Sequence, residues 1–202
     1  MKIYPLGPVQ SRHAVVLAAT NTNPIVLTLA SALGSGNNAL NASGSDVLTI
    51  GGAVGNTNAN GSYAAGTYVI NSPTQITLTG IAGNGSYTAS SATASAPQQL
   101  IYTSTFPTIP GVSDITKIVA GRMLFAPMGS ATNTGFVFLG TAGLNQGTVT
   151  GVFRVINPPS STGIMDYYDL DMDGTNIIPM IDYWIDLQKP GAEAVLCTFW
   201  IR

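Results

Sequence analysis

From residue 47 to residue 113 the chain carries no Asp, Glu, Lys or Arg. A run of 67 residues without an ionised side chain leaves few ways to fold in water. A surface helix normally draws its polar face from Glu, Lys, Arg and Gln, and these are scarce here. β-branched residues, with Gly and Pro as punctuation, dominate instead. The rest of the chain continues the trend. Charged residues make up 8% of the 202, against about 25% in ordinary soluble proteins. The hydrophobic share is 45%, so the sequence is globular rather than disordered, a state that pairs low hydrophobicity with high net charge.

Strand signals recur at short spacing. They fall at 14–19, 25–30, 47–50, 63–70 and 75–79. After a connection containing Pro they resume at 116–125, 135–140, 148–156, 182–187 and 194–201. Many short strands with Gly/Asn turns predict an all-β sandwich or barrel. Two stretches read as connections. Residues 90–97 are small, polar and flexible in character; residues 105–111 are stiffened by Pro107 and Pro110. Composition shifts at the first of them. Both Trp, most acids and every Met but Met1 lie after it, so a domain boundary is expected near residue 97.

A short echo lies inside the uncharged region. Asn60-Gly61-Ser62-Tyr63 returns as Asn84-Gly85-Ser86-Tyr87. Asn-Gly favours tight hairpin turns and Tyr then opens a strand, which predicts a compact β-meander. Turn chemistry accounts for these residues without invoking sugar binding by exposed Tyr and Asn.

The segment from Asp46 through Gly51-Gly52-Ala53-Val54-Gly55-Asn56 to Ala59-Asn60-Gly61-Ser62-Tyr63 resembles a small β repeat of bacteriophage virion and tail proteins. That repeat reads roughly V-T-I-x-G-x-x-G-N-x-x-A-N-G-x-[WY], then a T-x-[FI]-T-L strand and G-N-G-x-Y. Thr74-Gln75-Ile76-Thr77-Leu78 and Gly83-Asn84-Gly85-Ser86-Tyr87 follow in that order. The likeness covers about residues 23–90 and departs before Asp46, where 31–45 is a long Gly/Asn/Ser loop. The flanking sequence more loosely resembles jelly-roll-like capsid decoration, or cement, proteins. It does so through 12–19, Asn133-Thr134-Gly135-Phe136-Val137-Phe138-Leu139-Gly140, Asp182-Tyr183-Trp184-Ile185-Asp186 and 194–201. The resemblance implies a jelly-roll-like sandwich with an inserted small β-barrel or meander domain. Residues 1–22 would supply the sandwich's N-terminal strand, 23–97 the insert and 98–202 the main sandwich.

Residues that could carry chemistry are few. Asp169-Leu170-Asp171-Met172-Asp173-Gly174 matches the opening of a calcium loop, in which alternate carboxylates converge on one cation. Such a loop closes on a bidentate Glu at its twelfth position, which here is Met180, preceded by Pro179. An acidic surface turn is the expectation. Asp166, Asp169, Asp171, Asp173, Asp182 and Asp186 supply a glycosidase pair by composition only. On a strand, Asp182, Trp184 and Asp186 would share one face, a pattern common to sugar strips and to edge or interface strands. His13 is the sole histidine, so it cannot build a multi-His metal site, and a Ser-His-Asp triad would have to use it. Cys197 is the sole cysteine, which excludes an internal disulfide; its apolar neighbours predict a buried, inert thiol. No phosphate-cradling loop occurs. No catalytic, cofactor-binding or metal residue is therefore assigned, and the chain is expected not to be an enzyme.

The seven basic residues stand singly, and the net charge is −2. No basic footprint for nucleic acid exists. The longest apolar run, at 14–19, has six residues, far short of the roughly 20 of a membrane helix. No signal peptide is read at the start. Two roles stay open for Arg12, Arg122 and Arg154: pairing with a neighbouring subunit's acids, or pairing within the chain. Like surfaces without charge do not repel, and mean hydropathy is +0.29. The expectation is a protein made in the host cytoplasm whose surface is covered by other protein in its working state. The partners would be a major capsid protein and further copies of itself, as a dimer or trimer. The alternative is a receptor- or glycan-binding module of a head or tail fibre.

Overall fold

A computed structural model describes residues 2–34, 39–43, 46–88, 92–103, 106–127, 135–146, 149–158, 166–171, 178–188 and 194–201. The fold is all-β. Its strands in chain order are β1 (Lys2–Gln10), β2 (His13–Ala19), β3 (Ile25–Leu29), β4 (Leu48–Gly51), β5 (Gly61–Tyr63), β6 (Tyr68–Ser72), β7 (Gln75–Leu78) and β8 (Thr93–Ser95). There follow β9 (Gln98–Gln99), β10 (Val119–Pro127), β11 (Val137–Asn145), β12 (Thr150–Ile156), β13 (Tyr168–Asp171), β14 (Ile178–Pro179), β15 (Trp184–Leu187) and β16 (Ala194–Ile201). The described helical pieces are short 3-10 turns. None is long and apolar enough to cross a membrane.

The chain divides into two compact units. The first comprises Met1–Ser11, Gln98–Leu144 and Gly151–Arg202; the second comprises Arg12–Pro97 with Asn145–Thr150. The first unit is a sandwich. One sheet runs β1-β16-β10-β13, with β14 also on β10, and the other runs β12-β11-β15-β9. Alternation along the strands drives both sheets onto one core. Met123, Phe125, Val195, Cys197 and Phe199 from one sheet meet Val137, Leu139, Ile156, Ile185 and Leu187 from the other. Phe199 stacks between Tyr4 and Phe106, at ring-centroid distances of 5.8 and 5.5 Å.

The second unit is a single barrel-like sheet, β5-β4-β8-β2-β3-β7-β6. Strand β2 serves two neighbours along its length. His13–Val15 pairs with β8, and from Val16 onward it pairs with β3 across an irregularity between Val16 and Ala18. Such a bulge sharpens the local twist and lets one strand turn a corner. The enclosed core includes Ile25, Leu27, Leu48, Ile50, Tyr68, Ile76 and Leu78.

Three expectations change. Residues 12–19 were expected to join the sandwich; β2 joins the second unit, and the strand against β16 is β1. Residues 92–97 do not behave as a linker. Ala92, Ala94 and Ala96 are buried, and β8 lies between β4 and β2. There Thr49 and Ser95 share a buried hydroxyl–hydroxyl hydrogen bond of 2.6 Å. The expected strand 63–70 is two strands, β5 and β6, separated by a turn in which Gly66 has φ +87°.

The Asn-Gly echo also does something other than close two hairpins. Its second copy packs on residues 55–58, which lead into the first copy. Asn56 is fully buried; its Nδ2 donates to the Thr20 carbonyl and its Oδ1 accepts from Asn84 N–H. Asn84 in turn accepts from Asn58 N–H and donates to Thr57 Oγ1. Asn60 makes both amide bonds to the Ala53 backbone. The Tyr63 hydroxyl donates to the Asn58 and Ala59 carbonyls. Gly55 sits at φ +81°, and a Cβ there would lie 2.0 Å from the Ser86 carbonyl oxygen. Gly55→Ala is expected to destabilise this unit by about 3 kcal/mol, from left-handed strain plus overpacking. Denaturant unfolding would check this; a loss indistinguishable from zero contradicts the packing described.

Candidate interface

Alternation on the β1-β16-β10-β13 sheet sets its second face by subtraction. Val195, Cys197 and Phe199 point into the core, so Leu196, Thr198 and Trp200 point out. The register carries that outward row across the sheet. Ile3 pairs with Trp200 and Pro5 with Thr198 on one side. Arg122, Leu124 and Ala126 pair with Trp200, Thr198 and Leu196 on the other. Ile3 is 61% exposed and Leu196 43%. The neighbouring Leu124, Ala126 and Trp200 are half-buried. An apolar sheet face of this kind usually marks an interaction site.

Among the described residues the guanidinium on this face, Arg122, is held by its own chain. Arg122 lies over the Trp200 ring, 5.0 Å from its centroid. Its Nε donates to Asp169 Oδ1 at 2.9 Å, and a terminal nitrogen pairs with Asp169 Oδ2. The Arg122 hydrogen bonds pull the Asp169 carboxyl below the usual carboxylate range. The pair thus presents a planar, neutralised rim beside the indole, a combination enriched at protein interfaces. The β1 edge is less inviting. Pro5, paired opposite Thr198 on this outermost strand, lacks a backbone N–H, which blunts addition of a further strand.

Arg12 and Arg154 also find acids within the chain. Arg12, 6% exposed, makes a two-pronged contact with Asp46 at 3.0 and 2.6 Å and donates to the Ala39 carbonyl at 2.7 Å. Asp46 also accepts from Asn41 N–H, so Ala39, Asn41 and Asp46 are tied to the start of β2 through Arg12. Arg154 reaches Asp166 at 3.4 Å and lies 5.6 Å from the centroid of the Tyr168 ring.

The candidate chemical residues do not gather. Asp169 and Asp171 belong to strand β13 rather than to a turn, and the Asp169 carboxylate is engaged by Arg122. Asp173 lies outside the described residues. Among the described residues no group of three potential metal-binding side chains occurs. Asp182 ends the 3-10 turn at Met180–Asp182 and is exposed, whereas Asp186 lies in β15 and is buried. The expected shared face of Asp182, Trp184 and Asp186 is therefore interrupted where turn gives way to strand. His13 is buried, and its Nδ1 makes no hydrogen bond with the described residues. Burial lowers its pKa to about 4.

Burial in the sandwich core pushes the Cys197 thiol pKa well up. Cys197 is expected to resist a thiol reagent in the native protein and to react with one equivalent after denaturation. Rapid native labelling would contradict its place in the core.

No protein-family model matches this chain, no curated protein matches it, and no solved structure matches it.

Proposed function

We propose that this chain is a non-enzymatic structural protein of a bacteriophage particle, a decoration or cement protein on the capsid surface. The observation that carries the reading is the outward face built on Ile3, Leu124, Leu196 and Trp200 in a chain that is only 8% charged. Such a face gains free energy by being covered, at roughly 25 cal/mol per Å² of apolar surface removed from water. The likeness of residues 46–87 to a virion β repeat, and of the flanking strands to cement proteins, supports the same reading.

In this role the protein performs no reaction. It binds where capsid subunits meet and adds buried area between them. One copy adds little, but repetition over a closed shell makes the gain multivalent against internal pressure. Its partners are the major capsid protein and further copies of itself. The second unit suits the outward position, since it carries few ionised side chains and so offers few contacts for salt to weaken.

Copy number tests this directly. In purified particles the chain is expected at hundreds of copies, on the shell, by quantitative mass spectrometry and low-resolution imaging. A dozen copies at a vertex or tail would favour the fibre reading, and absence from particles would refute both.

A further inference from the structure

A groove of about 440 Å³ on the first unit is lined by Gln99, Thr141, Ala142, Ile181, Asp182 and Trp184. Trp184 opens β15 and is flanked in register by Gln99 of β9 and Gly140 of β11. The glycine puts no side chain beside the indole on that side. Ile181 and Ala142 supply further apolar wall.

The groove keeps an amide oxygen, a hydroxyl and a carboxylate that the described fold leaves unspent. Gln99 Nε2 donates to the Ile181 carbonyl, which fixes the amide plane and leaves Oε1 as an acceptor. Thr141 and Asp182 are exposed, and neither the hydroxyl nor the carboxylate bonds to any described residue. An aromatic platform, an amide oxygen, a hydroxyl and a carboxylate therefore converge on one concavity.

Few ligands match that set. Among the described residues no Lys or Arg lines the groove, and Asp182 would repel an anion. A purely apolar ligand would cover three polar groups without giving them partners, which is costly. A pyranose meets both demands, because its C–H face packs on an indole while its ring hydroxyls donate to and accept from polar side chains. We propose that this groove is a binding subsite for a neutral sugar ring, with Trp184 as the platform and Asp182, Gln99 and Thr141 as the hydroxyl partners. The proposal is independent of where the protein resides, because it rests on this groove alone.

The test uses the full chain carrying Trp200→Phe, so that Trp184 is the remaining indole. Neutral tetrasaccharides of glucose, galactose, mannose and N-acetylglucosamine are titrated into this parent by tryptophan fluorescence, and into the parent and all its variants by saturation-transfer NMR, because the Trp184 variants hold no indole. At least one is expected to bind in the millimolar range or tighter. Binding should fall at least about tenfold with Trp184→Ala and roughly threefold with Asp182→Asn. It should be unchanged in about 0.5 M NaCl. Trp184→Phe, which keeps a ring, should retain part of the affinity and serves if the alanine variant fails to fold. The proposal is overturned if none of the four tetrasaccharides binds, if Trp184→Phe and Trp184→Ala bind like the parent, or if a sulfated oligosaccharide of equal length binds as tightly.

Discussion

Lowering the pH from 7 to 4 is expected to destabilise the second unit by up to about 3 kcal/mol, with His13 as the source. The imidazole begins at 6.5 in the unfolded chain and is held at about 4 by burial. Above pH 6.5 both states are neutral there and His13 contributes nothing to the pH dependence. Between 6.5 and about 4 the unfolded chain takes up a proton that the folded chain refuses, so stability falls as pH falls. Below about 4 the loss levels off. Asp114, Asp166 and Asp169, whose pKa values are lowered from 3.8 by their partners, belong to the first unit and lose their contribution mainly below pH 4, so His13 dominates the window. Unfolding midpoints measured from pH 7 to 4 should slope downward in the parent and stay nearly flat in His13→Gln. Parallel slopes in the two proteins would remove His13 from the account.

The second large effect concerns association rather than folding. Leu196→Lys is expected to weaken assembly at least 100-fold, because it places an ammonium on the apolar face that the proposed assembly would cover. The same change should leave the melting temperature within a few degrees, since Leu196 points away from the core that Val195 and Cys197 enter. Val54→Lys is the control. That residue is 53% exposed in the second unit, so an extra charge there should leave assembly intact. Equal losses from both substitutions would mean that the effect is one of general charge rather than of this face.

The fold class was legible because its cause is local. With almost no Glu or Lys to clothe a helix, β-branched runs between Gly and Asn turns could only pair as strands. What escaped the sequence depends on neighbours. The stretch Pro5-Leu6-Gly7-Pro8 suggests no strand, yet β1 forms because an outermost strand bonds on one side only, where a missing N–H is tolerated. Residues 92–97 look like a linker because they are small, but smallness is what lets β8 lie between two strands in the barrel's middle. The echo predicted turns, and Asn84 of its second copy instead bonds to Asn56 and Asn58 in a distant loop, a pairing that no local rule can reveal. The arginines were visible as isolated charges, but their acids, 34 residues away for Arg12 and 47 for Arg122, became identifiable only through the register. The apolar face was likewise invisible until the pairing of β1, β16 and β10 aligned its rows.

Sedimentation velocity of the 202-residue chain tests the proposed interface face most directly. The account predicts self-association that grows with protein concentration, is the same in about 0.05 and 0.5 M NaCl, and is lost in Leu196→Lys. A monomer at every concentration, or an assembly that salt dissolves and Leu196→Lys leaves untouched, would contradict it.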